Sequence, residues 1–147
     1  LVRKAHLLSR VINRNGVGKR RSQLCKAVAI TLRELAIKPT MDAEARDMAA
    51  FVALCLSKIH STIDETVIAW EKRNYWIKAD RFRRDWAWAK TNSEEMAKAV
   101  LGNDWVKLAK IMPSIAAQLQ SIKLPKRNTI GSAWDGAYEH LRESMSQ

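Results

Sequence analysis

Apolar residues along this chain recur at spacings of three and four. No stretch alternates apolar with polar over strand length between turn dipeptides, so the pattern predicts an all-α fold. A first helix over residues 2–13 carries Leu7, Leu8, Val11 and Ile12 on one side. It stops at Asn15-Gly16-Val17-Gly18, where glycine admits positive backbone angles. A basic loop, Lys19-Arg20-Arg21, leads to a second helix over 22–37 that buries Leu24, Val28, Leu32 and Leu35 and ends before Pro39. Thr40 then caps a long helix with Asp42 and Glu44 in its first turn. Its inward stripe is Met48, Val52, Cys55, Ile59, Ile63, Thr66 and Trp70.

The segment over 70–90, WEKRNYWIKADRFRRDWAWAK, holds four of the six tryptophans. At 100° per residue, Tyr75, Ala79, Phe82, Trp86 and Ala89 share one side, which reads as core. Arg73, Ile77, Arg81, Arg84 and Trp88 share the opposite side, in phase with the stripe that ends at Trp70. Either the helix breaks at Lys72-Arg73-Asn74, or one straight helix is covered on opposite faces at its two ends. In both cases Trp86 is expected inside and Trp88 outside, beside Arg81 and Arg84.

Asn92 and Glu95 suggest a capping box for a short helix that Gly102 closes. Asn103 and Asp104 start another, with Trp105, Leu108 and Met112 inward and Pro113 opening its continuation through Ile115, Leu119 and Ile122. A loop containing Lys126 and Arg127 precedes a last helix over 132–145, with Trp134, Tyr138, Leu141 and Met145 inward. The expectation is one basic domain over 1–147, a compact bundle of about five to seven helices around one long central helix.

Charge sharpens this picture. Twenty-six Lys and Arg stand against fifteen Asp and Glu, a net +11, which favours polyanionic partners. The excess lies in blocks: ten basic and one acidic residue over 1–40, six and two over 73–90, and three and none over 113–128. The longest apolar run, nine residues over 48–56, is less than half a membrane span, so no membrane partner is expected. The Arg-rich start shares a pattern with mitochondrial presequences but runs into an orderly helix pair. Cys25 and Cys55, without a CxxC or a histidine at ligand spacing, read as reduced core thiols of a cytoplasmic protein.

Catalytic and metal patterns fail one by one. Gly16-Val17-Gly18-Lys19 lacks the earlier glycine of a phosphate-binding loop, where Asn13 stands, and the following Ser or Thr, where Arg20 stands. His6, His60 and His140 fall on three helices, and His60 with Asp64 reads as a hydrogen-bonded pair before a metal pair. No Glu-x-x-His occurs, and Asp64-Glu65 and Glu94-Glu95 point to different helical faces. The chain reads as a binder, not an enzyme, with no cofactor. The nominated nucleic-acid contacts are Lys19, Arg20, Arg21, Arg73, Lys78, Arg81, Arg84, Trp88, Lys126 and Arg127. Two alternatives are a protein-interaction scaffold built on the Arg/Trp face and a helix-turn-helix regulator. The latter has few Asn or Gln to read base edges beside Lys26 and Arg33.

In a basic all-α chain of this length, AWEKRNYW over 69–76 running into KADRFR over 78–83 resembles the small subunit of a type I CRISPR surveillance complex, Cascade. The resemblance implies a non-enzymatic cytoplasmic bundle present in more than one copy per ribonucleoprotein. There it would bridge other effector-complex subunits and support the guide–target duplex and the displaced DNA strand. It also implies phosphate contacts without base reading, since the guide RNA supplies sequence discrimination. In several such systems the small subunit starts inside the large-subunit gene, which suits a chain that opens at Leu1.

Overall fold

The computed structural model describes residues 16–146, so the expected first helix over 2–13, with His6, lies outside the described residues. Six α-helices and no strand occur among them: α1 Val17–Ala36, α2 Ala43–Lys72, α3 Trp76–Asp85, α4 Ala87–Leu101, α5 Trp105–Gln118 and α6 Ala137–Met145. The all-α bundle with a long central helix is therefore as expected, but several boundaries differ.

The central element is α2, thirty residues and about 45 Å long. Asp42, not Thr40, caps it, its Oδ1 accepting from the Ala45 N–H at 2.8 Å. Lys38 bridges Asp42 and Glu44 at 2.9 Å each, which closes the turn from α1. The expected stripe from Met48 to Thr66 is buried, but it is only one of the covered faces. Ala45, Ala49, Ala50, Phe51, Ala53 and Leu56 are buried as well, because α1, α4 and α6 all pack on α2. Small side chains let these neighbours approach closely. One such contact is direct: Ser93 on α4 donates to the Ala53 carbonyl at 2.9 Å.

At the far end of α2 the chain reverses. Arg73 and Tyr75 both donate their N–H to the Trp70 carbonyl, at 3.0 and 2.9 Å, and Asn74 takes φ 65°. Asparagine tolerates that left-handed geometry better than most residues. The break at Lys72-Arg73-Asn74 is thus the observed alternative, and α3 folds back over Ile63 and Val67 of α2 to form a second, smaller apolar cluster with Ala79. A second break falls at Trp86, which ends α3 and opens α4. The expected helix start at Asn92 is wrong: Asn92 and Glu95 lie inside α4. The kink at Trp86 lets α3 cover the C-terminal half of α2 while α4 covers its middle.

Other corrections have equally local causes. α5 contains Pro113 and ends at Gln118, short of Ile122. Its start is as expected, with Asp104 Oδ1 accepting from the Lys107 N–H at 3.0 Å. α6 begins five residues later than expected, because Gly136 at φ 81° turns the chain first. Asp47 on α2 then caps it, accepting from Gly136 N–H at 3.1 Å and Tyr138 N–H at 2.9 Å. Trp134 is buried ahead of the helix, Leu141 is buried within it, and Met145, expected inside, is exposed in the last turn.

Two outcomes test this packing. Asp47→Ala removes the α6 cap and lowers stability by about 1–2 kcal/mol, read from the urea unfolding midpoint. Burial pushes the Cys25 thiol up to about 11 against the opposing pull of Arg21, and burial raises Cys55 as well. A thiol whose pKa is raised by folding stabilises the native state below its unfolded pKa, and that contribution is lost as pH rises through the folded value. Stability therefore falls from about pH 9 to about pH 11. At pH 8 both thiols react with a disulfide reagent far more slowly in the folded than in the urea-unfolded protein.

Candidate nucleic-acid interface

The basic residues of this chain divide into those the fold consumes and those it leaves in water. Lys19, Arg20 and Arg21 are not in a loop. They fill the first turns of α1, which starts directly after Gly16 at φ 123°. Lysine and arginine are good helix formers, and α2 supplies partners that hold this turn in place. Arg20 pairs with Glu65 at 2.8 Å. Arg21 turns inward: it donates to Thr62 Oγ1 at 3.1 Å, the Thr62 carbonyl at 3.2 Å and Thr66 Oγ1 at 2.6 Å. Its guanidinium lies 4.9 Å from the Phe82 ring centre and 5.8 Å from that of Trp86, and burial lowers its pKa. Arg21 is a structural joint between α1, α2 and α3, and of this block Lys19 alone is exposed without an ion pair.

From the end of α2 across α3 to the start of α4, four aromatic residues form a ladder. Trp70 meets Phe82 edge-on at 5.0 Å, Phe82 meets Trp86 at 6.2 Å, and Trp86 stacks on Trp88 at 5.7 Å with the planes 27° apart. The division into an inner Trp86 and an outer Trp88 is therefore corrected: both are half-buried and packed against the core. The break at Trp86 resets the helical phase, which removes Trp88 from the Arg81–Arg84 stripe. Lys78 lies over the Trp70 ring at 4.4 Å. Arg83, which the sequence pattern passes over, is held by Glu71 at 2.9 Å and Asp80 at 2.6 Å.

Arg73, Arg81 and Arg84 are different. All three are exposed, and none makes an ion pair, a side-chain hydrogen bond or a ring contact among the described residues. Beside them stand groups that sequence reasoning placed wrongly or missed. Tyr75, expected in the core, is 50% exposed, and Trp76 and Ile77 are 55% and 77% exposed. The signal for this was the possible break at Asn74, which takes Tyr75 off the inner face by making it the residue that opens α3.

Lys126 and Arg127 are exposed in the loop after α5, but they do not join this cluster. Their loop is tied to α1 by Arg33, whose Nη1 donates to the Pro125 carbonyl at 2.6 Å. Arg33 lies about 18 Å along the helix from Arg21. His60 and Asp64 do meet, at 3.3 Å, and no group of three metal-ligating side chains gathers among the described residues. No helix of the described residues is long and apolar enough to cross a membrane.

No family model, curated protein or solved structure matches this chain.

The two kinds of arginine separate in a stability measurement. Arg21→Ala leaves buried Thr62 and Thr66 without their donor and uncovers two rings, at a cost of about 2–3 kcal/mol. Arg21→Lys keeps the charge but loses the fork, and is also destabilising. Arg81→Ala and Arg84→Ala stay within about 0.5 kcal/mol of the parent in urea unfolding.

Proposed function

We propose that this chain is a non-catalytic, sequence-independent nucleic-acid-binding protein that contacts the phosphate backbone through the outer face of α3. One observation carries this reading. In a fold that pairs Arg20, Arg83 and Arg142 with carboxylates, Arg73 just before α3 and Arg81 and Arg84 on it are exposed and have no partner among the described residues. Unpaired guanidinium groups on a chain of net charge +11 give the fixed positive field that a polyanion replaces its counterions to meet. Lys19 extends the field from α1, while Lys126 and Arg127 form a separate basic point.

Service as a structural subunit of a ribonucleoprotein, of which a CRISPR surveillance complex is one instance, fits such a surface. Several weak phosphate contacts then add to contacts with neighbouring subunits. Docking on a protein partner is a second reading, favoured by the exposure of Ile77 next to Trp76.

Salt dependence tests the proposal. Each phosphate neutralised on a single strand contributes about 0.7 to the slope of log Kobs against log salt, so Arg81→Gln with Arg84→Gln lowers that slope by about 1.4. Unchanged binding and slope in this variant, with loss of a co-purifying protein, would favour the second reading.

A further inference from the structure

The outer face of α3 carries aromatic surface as well as charge. Of the six tryptophans, Trp76 is the one left mostly in water, at 55% exposure. Trp70, Trp86 and Trp88 belong to the ring ladder, Trp105 packs against the core and Trp134 is buried. Neither Trp76 nor its neighbour Tyr75 makes a ring contact among the described residues. The backbone under them is nonetheless fixed. The Trp70 carbonyl ties down Arg73 and Tyr75, and the Tyr75 carbonyl accepts from the Ala79 N–H at 3.0 Å. Ala79 itself is fully buried against α2, so the corner is anchored from within.

We infer that this corner is a stacking platform for the unpaired bases of a single-stranded nucleic acid, with Trp76 taking a base face and Tyr75 a second. Arg73, whose N–H shares the Trp70 carbonyl with that of Tyr75, holds the adjoining phosphate. The inference rests on the nucleic-acid reading above and narrows it. A surface that only tracked phosphates would need cations and no aromatic ring. A duplex keeps its base faces inside the stack and offers none to an indole. An exposed ring three residues from Arg73, which has no partner among the described residues, on a chain of net charge +11, matches the two faces of a single strand, the apolar base and the anionic backbone. Because Asn74 and the Trp70 carbonyl set the backbone beforehand, little order is lost when the ligand arrives.

The experiment uses the full chain, an end-labelled oligodeoxythymidylate and a mixed-sequence duplex, with anisotropy titrations at several salt concentrations. The expected result is that Trp76→Ala weakens oligodeoxythymidylate binding about tenfold with the salt slope unchanged. Duplex binding stays as it was, and Trp76→Phe recovers most of the loss. Trp76 is exposed, so the thermal midpoint of both variants stays at the parent value, and the Phe variant keeps the test meaningful if the Ala variant is destabilised. If Trp76→Ala binds the oligonucleotide as well as the parent while Arg81→Gln with Arg84→Gln does not, stacking is overturned and the phosphate-binding reading stands. If the parent binds neither nucleic acid at low salt, the nucleic-acid reading itself is overturned, and the inference with it. Trp76-dependent binding to vesicles containing phosphatidylglycerol, without oligonucleotide binding, overturns both in favour of a lipid surface.

Discussion

A single long helix must be covered on different sides at its two ends, and most of the structure follows from that constraint. The N-terminal half of α2 is apolar or small nearly all round, so α1, α4 and α6 can press against it together. Its C-terminal half is apolar on a narrower face, with Asp64, Glu65 and Ile68 in water. One straight partner helix cannot serve both halves. The chain after Asn74 therefore comes in two pieces joined at Trp86, α3 for one half and α4 for the other. Arg21 secures the junction, because its guanidinium reaches two threonines on α2 and lies near two rings on the neighbouring segment.

The helical class and the long axis were legible because each rests on local chemistry, spacing and capping acids, whereas the shift of the apolar face near Asn74 showed only that the helix either breaks there or changes its covered side. The boundaries that depend on distant partners were not legible. Lys19 to Arg21 look like a loop in isolation, since three cations follow two glycines. The turn is helical because Glu65, Thr62 and Thr66, more than forty residues away, receive Arg20 and Arg21. The start of α6 was misplaced for the same reason, as its cap is Asp47, ninety residues upstream. Asn92 shows the converse: a good cap residue is overruled when the helix it would start is already running.

The candidate site was half legible. Periodicity set Arg73, Arg81 and Arg84 on one stripe with Asp80 and Asp85 as possible partners; the break at Asn74 takes Arg73 off that stripe, Asp80 pairs with Arg83, and the three arginines have no partner among the described residues. It could not say that Trp88 would leave the stripe, because the phase reset at Trp86 comes from the competing demands of α3 and α4. Nor could charge counting separate Arg83 from Arg84. Adjacent in sequence, one faces Glu71 and Asp80 while the other faces solvent. The resemblance to a Cascade small subunit remains a matter of one segment and overall character, and the surface argument stands without it.

The stacked pair at the α3–α4 joint also affects how the molecule reads in the spectrometer. Two indoles stacked 5.7 Å apart with planes 27° from parallel couple their electronic transitions. That coupling adds a signed band to the ultraviolet dichroism on top of the peptide signal. Ellipticity in this protein thus reports ring geometry at one bend together with helix content, and a change in it is not by itself a measure of lost helix.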